Sequence, residues 1–503
     1  MEFKIKNNGK SVWENFIEQN LNVPSFCGGR GSCGKCKILV TEGLLPVTAE
    51  DKKVFSKQQL EQGYRLACRA YPESEITIKT VFLEETELVG SKVELGIREE
   101  KSGENGFQIV IDLGTTTIAI ALVSNNQVIE TYLGINHQRK IGTDVITRME
   151  KAAKGMAKEL THIVRNDIWN GIFEMLQKKE IELAEIEDVV LTGNTVMEHL
   201  FFAYPTEGME HYPFTPFFIE KTEIKAEKIF PDWKGRTKII GFPCVSAFIG
   251  GDIIAGLYQI DADKSQKIQF FLDLGTNGEM AVCCHGKIYT ASVAAGPVFE
   301  GGNMSCGTGS IPGAIFSIEA EEEGFAYRTI KKASPVGICG TGLIEAVAAF
   351  LEMGILKKDG SLFAGYAKKG VVIARSITGE LISINQSDIR AFQLAKGAVL
   401  AGIFLLLKKA NISINEVEKW NIGGSFGENL NIKKAIKAGL LPKEVEKKVE
   451  MAGNTSLLGA IKYSMEEKEE RERRLMTIKE SCICISLAEE KEFPEEFLKR
   501  IEF

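Results

Sequence analysis

The run FQIVIDLGTTTIAIALV at 107–123 returns in altered form as IQFFLDLGTNGEMAVCC at 268–284. Each copy is an apolar strand, a D-L-G-T turn and a second strand, so the duplication predicts two halves built on one plan. In such a hairpin the glycine lets the backbone approach an anion, consecutive N–H groups form a nest, and threonine hydroxyls add donors. A single copy would read as an ordinary hairpin. Two copies in equivalent strand contexts point instead to a pair of phosphate-binding loops. Asp112 and Asp273 stand at the two strand ends. Mg2+ touches one or two carboxylates and keeps several waters, so one ion can be shared between them across facing lobes.

A second group of residues opens the chain. FCGGRGSCGKC carries Cys27, Cys33 and Cys36, and Cys68 follows in GYRLACRA. Thiolate sulfur is a soft donor, and four such ligands complete an iron or zinc site. The spacing C-x5-C-x2-C with one distant cysteine is one residue longer in its first gap than the plant-type ferredoxin pattern. Gly28, Gly29, Gly31 and Gly34 allow the positive φ with which a loop wraps a cluster and turns N–H groups toward its sulfurs. MEFKIK, CKILVTEG and SEITIKTVFL read as strands and VWENFIEQN as an amphipathic helix, the order of a β-grasp ferredoxin. The expectation is a 2Fe-2S cluster on Cys27, Cys33, Cys36 and Cys68. Structural zinc and inert buried cysteines are the alternatives.

Composition narrows the class. A chain of 503 residues with 44% hydrophobic content is long enough for more than one domain and for sizeable cores. Net charge is −7, with basic and acidic residues interspersed, which gives no electrostatic footprint for nucleic acid. Eleven cysteines, an odd and scattered count, argue against a disulfide scaffold. No secretory segment opens the chain, and AVLAGIFLLL at 398–407 is too short to span a bilayer, so the reading is cytoplasmic without a membrane partner. The charged, weakly periodic stretch 83–106 reads as a linker between a ferredoxin-like domain at 1–82 and a body at 107–465, whose second half starts near 268. In that body strand and helix patterns alternate, as α/β folds require. SMEEKEERERRLM reads as a solvated helix within a helical tail at 466–503. His137 and His199 read as structural.

WNIGGSFGENL at 420–430 puts Gly423 and Gly424 at a strand-to-helix turn, where the missing Cβ lets ribose or adenine lie on the backbone. In the order phosphate loop, phosphate loop, adenosine loop, the body resembles the actin, Hsp70 and sugar-kinase superfamily, the ribonuclease H-like ASKHA ATPases. The resemblance implies an α/β multidomain chain whose two-lobed ATPase part binds Mg-ATP in the cleft. It assigns Asp112, Gly114, Thr115, Thr116 and Thr117 to the first phosphate loop. Asp273, Gly275, Thr276, Asn277 and Gly278 form the second, and Gly423 with Gly424 the adenosine contact. Glu279 is a water-orienting candidate, which makes Asp112, Asp273 and Glu279 the catalytic set.

Joined to a ferredoxin domain, this ATPase body resembles the reductive activators of corrinoid enzymes. LTGNTVMEHLF at 191, VAAGPVFEGGNMSCGTGSIPGAI at 293, VGICGTGLIEA at 336 and QLAKGAVLAGI at 393 carry the same resemblance. Some members hold an extra small domain between the two parts, where this chain has about two dozen residues. The resemblance implies a 2Fe-2S cluster, ATP and Mg2+ as cofactors. It also implies a corrinoid protein of a methyltransferase system as partner, an upstream low-potential electron donor, and one-electron conversion of Co(II) to Co(I) in anaerobic metabolism. Assembly is open, with a homodimer among the alternatives. Three other readings stand beside it: an electron-injecting activator of radical dehydratases, a small-molecule kinase with a redox-regulatory domain, and a non-enzymatic ATP and redox sensor.

Overall fold

A computed structural model of the chain describes residues 2–18, 29, 31, 34–80, 106–322, 324–376, 379–424 and 430–503. The expected linker, Gly106 excepted, lies outside the described residues. At the N-terminus, strands Glu2–Ile5, Ile76–Thr80, Lys37–Glu42 and Tyr64–Leu66 pair in that order into an antiparallel sheet. Ile76 and Ile78 point inward while Lys79 is exposed, the period-two pattern of a strand with one covered face. Val12 and Phe16, four residues apart on helix Val12–Glu18, supply the cover, and Phe3 meets the Phe16 ring edge-on at 5.1 Å. Thr48 and Asp51 form a reciprocal cap on helix Ala49–Val54. The second Asp51 oxygen accepts from Leu66 N–H at 2.8 Å and so ties that helix to the shortest strand.

The body repeats one sheet plan. In the first lobe the order is Gln127–Ile135, Thr117–Ser124, Phe107–Leu113, Ile186–Gly193, Lys238–Gly241 and Thr222–Lys225. In the second it is Val449–Gly453, Lys419–Gly424, Gln269–Leu274, Gly278–Cys284, Lys287–Val293 and Cys482–Cys484. Each lobe begins with an antiparallel meander whose first strand is central, and each then adds a parallel strand on that strand's free side. Both faces of the central strands are covered. Ile109, Val110 and Ile111 are therefore all fully buried, and the strands read as continuous apolar runs. The apolar run 398–407 lies within helix Gln386–Ala410, a core helix of the second lobe.

Helices Gly251–Gln259 and Thr455–Met465 cross between the lobes. A Cβ on Gly459 would lie 1.8 Å from the Ala255 carbonyl oxygen, so the helices touch backbone to backbone. Their apolar faces share one core with Val110 and Val190 of the first sheet and Phe271 and Ala281 of the second.

The segment 466–503, expected as a helical tail, packs on the body. Strand Cys482–Cys484 pairs in parallel with Ile288–Thr290, and Phe503 stacks on Phe392 at 6.1 Å. Helix Lys468–Ser481, expected to be solvated, buries Arg471 and Arg474. Charge neutralisation is the reason. Arg474 binds Asp261 at 2.8 Å, Asp263 at 2.9 Å and Glu466, with its guanidinium 4.1 Å from the centre of the Tyr258 ring. Arg474→Ala leaves buried Asp263 without its cation, while Asp261 keeps Lys462, and is expected to destabilise the body by about 3–5 kcal/mol in denaturant unfolding. A loss below about 1 kcal/mol would mean that the network contributes no more than an exposed pair.

Candidate functional site

Asp112 and Asp273 each occupy the penultimate position of a central strand, and the two D-L-G-T turns follow them. In the first turn Gly114 N–H donates to Thr117 O at 3.0 Å, and a Cβ on Gly114 would lie 2.9 Å from that oxygen. Asn136 donates its side-chain amide to Gly114 O at 2.9 Å, and Asn194 donates to Thr115 Oγ1 at 3.1 Å. Arg148, fully buried, donates to Thr115 O at 2.6 Å. Burial lowers its pKa to about 9, so it remains a cation behind the loop at neutral pH. Thr116 is exposed at the tip, and Thr117 opens the return strand. In the second turn Gly275 N–H donates to Asn277 O at 2.9 Å, and Gly278 opens the return strand. Thr276 donates its N–H and its hydroxyl to Glu300, at 3.1 and 2.7 Å.

One helix end joins the two aspartates. Asn454, the N-cap of helix Thr455–Met465, donates to Asp112 Oδ2 at 2.8 Å, and Ser456 donates to Asp112 Oδ1 at 2.7 Å. Between them, Thr455 donates to Asp273 Oδ2 at 3.4 Å. Other carboxylates converge here. Asp252, in the first turn of the other crossing helix, has its pKa pushed up to about 7, by burial and then by the charges of Asp273 and Asp112. Asp273 is raised to about 7 by burial and then by Asp112. Glu279, opposite Asp273 in the hairpin register, is raised well above the usual carboxylate range by burial and by Asp252 and Asp273. Asp112 and Glu300 are raised by burial.

Mutually repelling carboxylates beside donor-rich turns fit a divalent cation carrying a phosphate. Among the described residues no three His, Cys, Asp or Glu side chains group closely enough to hold a metal alone. That suits Mg2+, whose remaining ligands come from phosphate and water. A cavity of about 760 Å3 beside Arg165, Trp169 and Tyr204 contains none of these groups.

The glycines expected to receive adenosine also serve the carboxylates. Strand Lys419–Gly424 runs parallel to Gln269–Leu274, with Gly423 opposite Asp273. A Cβ on Gly423 would lie 2.7 Å from Thr455 Oγ1, and one on Gly424, where φ is +87°, 2.5 Å from Asp273 Oδ1. Residues 425–429 lie outside the described residues. Sequence reasoning missed Asp252, Glu300, Asn454, Thr455 and Ser456. One signal for the helix end was present: G-N-T occurs at 193–195 and again at 453–455, each time with the asparagine capping a helix. His137 pairs with Asp167 at 2.8 Å, and His199 Nδ1 contacts Thr195 O at 2.7 Å. Both belong to local structure in the first lobe.

In the N-terminal domain Cys27, Gly28 and Cys33 lie outside the described residues. Cys36 and Cys68 are buried, and Ala67 N–H donates to Cys36 O at 2.7 Å, which brings the turn bearing Cys68 against Cys36. Gly29, Gly31 and Gly34 have φ of +83°, +78° and +68°, as a loop wrapping a cluster requires. Two buried cysteines and this glycine run supply half of the four thiolates, and the backbone, that a 2Fe-2S cluster takes.

The raised pKa values carry a sign. In the unfolded chain Asp252 and Asp273 ionise near pH 4, whereas the folded chain holds their protons up to about 7. Stability from these groups is greatest in acid and is lost as pH rises toward 7. Without divalent cations, Asp252→Asn is therefore expected to gain stability relative to the unaltered chain between about pH 5 and about pH 7. A difference in unfolding free energy that stays constant over that range would contradict it.

Comparison with known proteins agrees with this geometry. Residues 267–503 match the family model for the C-terminal domain of RACo, the ASKHA domain; 107–265 match the RACo middle region, and 2–73 a 2Fe-2S iron-sulfur cluster binding domain. The chain is 30% identical over 388 residues to the corrinoid activation enzyme RamQ of Eubacterium limosum. That match covers 72% of this chain and 65% of RamQ, slightly less than two thirds of the relative's length. The chain is also 27% identical over 398 residues to the Co(II) methylated amine-specific corrinoid protein reductase of Methanosarcina barkeri, covering 72% of this chain and 70% of the other. Among solved structures it resembles a reductive activator for corrinoid, iron-sulfur protein, with a TM-score of 0.73 and 26% identity over 99% of this chain and 96% of that one. A 2Fe-2S iron-sulfur cluster binding domain followed by the RACo middle region and the RACo C-terminal ASKHA domain is the order of these matches, and the chain belongs to the family that the RACo models describe.

Proposed function

We propose that this chain reductively activates a corrinoid protein with consumption of ATP, returning its cobalt from Co(II) to Co(I) by one electron. The observation that carries the reading is the bridge from Asn454 and Ser456 to Asp112 and from Thr455 to Asp273, which gathers both phosphate loops at one helix end. Its relatives are named for corrinoid activation and Co(II) corrinoid protein reduction, which supplies the substrate class. Cys27, Cys33, Cys36 and Cys68 hold the cluster, which when bound supplies a one-electron donor. Asp112 and Asp273 hold Mg2+ with the nucleotide phosphates. Thr115, Thr116 and Thr117, with Gly114, contribute donors from one lobe, and Gly275, Thr276, Asn277 and Gly278 from the other. Glu279 orients water, and Gly423 with Gly424 keeps the adenosine side of the cleft open.

ATP has a physical task in this scheme. For a one-electron transfer each ~59 mV of unfavourable potential costs tenfold in equilibrium, about 1.4 kcal/mol, and nucleotide turnover offsets it. For that, the partner must bind two nucleotide states with different affinity. The crossing of Gly459 on Ala255 is the place where lobe closure can pivot.

The anaerobic test mixes reduced protein with a Co(II) corrinoid protein and follows the Co(I) absorption band with and without Mg-ATP. Growth of the band only with Mg-ATP supports the reading. Intact cluster and ATP hydrolysis without Co(I), across the corrinoid proteins of the same organism, overturns it. A phosphorylated metabolite in place of free phosphate would indicate a kinase. Asp112→Ala or Asp273→Ala is expected to lower ATP turnover about 100-fold or more while leaving the cluster spectrum unchanged. Loss of the cluster in either variant would contradict separate sites.

A further inference from the structure

The second phosphate loop is already engaged. Thr276 offers an N–H and a hydroxyl, the donors assigned above to a nucleotide phosphate, and both are taken by the Glu300 carboxylate. Glu300 thus stands where an anion is expected and repels the anion that would replace it. Gly301 follows, with φ of +78°, and begins a tightly folded loop. A Cβ on Gly301 would lie 2.1 Å from Thr308 O, and one on Gly307 would lie 2.2 Å from Gly301 O. The two arms of the loop therefore touch through bare backbone, and no side chain lies between them to absorb a shift. Asp388 accepts from Ser305 N–H at 2.8 Å and from Ser305 Oγ at 2.6 Å, which pins the bend to helix Gln386–Ala410.

The far arm holds the N-terminal domain. Lys35 Nζ donates to Ser305 O at 3.1 Å and to Gly307 O at 2.8 Å. Lys35 immediately precedes Cys36, a proposed cluster ligand. A short route of contacts thus runs from Thr276 through Glu300, Gly301 and Gly307 to Lys35.

We propose that Glu300 is a placeholder displaced by nucleotide phosphate, and that its displacement shifts Gly301 against Gly307 and loosens the carbonyl grip on Lys35. Nucleotide binding then releases the cluster-bearing domain from the second lobe. The inference rests on the nucleotide assignment of the Proposed function. Energetic coupling is reciprocal, so whatever weakens the Lys35 contact must tighten nucleotide binding.

The test is a double-mutant cycle in the full-length protein, read as affinity for a non-hydrolysable ATP analogue with Mg2+. Lys35→Met is expected to tighten binding about fivefold or more, the lower end of typical coupling. Lys35→Arg, which keeps the cation, should stay near the unaltered protein. Glu300→Ala should tighten binding by itself, and adding Lys35→Met to it should change nothing further. Amide exchange in strand Lys37–Glu42 should rise on addition of the analogue in the unaltered protein and not in Lys35→Met. Unchanged affinity in Lys35→Met, or an equal change with and without Glu300, overturns the inference alone. Absence of analogue binding in the unaltered protein overturns the nucleotide reading, and this inference with it.

Discussion

Two aspartates from opposite lobes sit close enough for the charge of one to raise the pKa of the other, and one helix end keeps them there. Burying like charges is costly unless donors or a cation compensate. Asn454 and Ser456 compensate Asp112 in part, whereas Asp252, Asp273 and Glu279 hold protons at pH values where exposed carboxylates have lost them. The arrangement is a poor one for stability and a suitable one for receiving a divalent cation with an anionic ligand. Strain of this kind at the meeting point of two domains is characteristic of functional sites.

The central strands and the crossing helices of the body hold that meeting point. The central strands are buried on both faces, so Asp112 and Asp273 project from rigid supports. The crossing helices approach so closely at Gly459 that the lobes share one apolar core. Contacts that close leave few ways to accommodate motion other than rotation about the crossing, which suits a device whose lobes must respond to a ligand between them. The last 38 residues, 466–503, reinforce the arrangement by adding a sheet edge to the second lobe and a buried arginine network at the end of crossing helix Gly251–Gln259.

The N-terminal domain and the body meet at the glycine loop 301–308, through Lys35. Its neighbour on one side is the second D-L-G-T turn, through Glu300, and on the other the cysteine- and glycine-rich loop that holds Lys35. Under the proposed function, an element touching both is where electron delivery can be timed by nucleotide state.

Much of this was readable in the chain itself. The duplicated D-L-G-T hairpins announced two lobes because strand periodicity and turn chemistry are local properties. The glycines of the cysteine loop announced positive φ because only the missing Cβ permits it cheaply. Helix Lys468–Ser481 was misread as solvated, since its charge pattern does not reveal that Asp261 and Asp263, more than 200 residues earlier, would neutralise Arg474 from within the core. Asp252, Glu300 and the 454–456 cap belong to the same class. Each is an ordinary polar residue at a turn or helix start, and each acquires its place only when distant strands bring it to Asp112, Asp273 or Thr276. The sequence by itself determined the elements and their chemistry, because hydrogen bonding and side-chain volume act over a few residues. Only the tertiary structure decided which carboxylates share a field, because electrostatic repulsion depends on distance in space and not on separation along the chain.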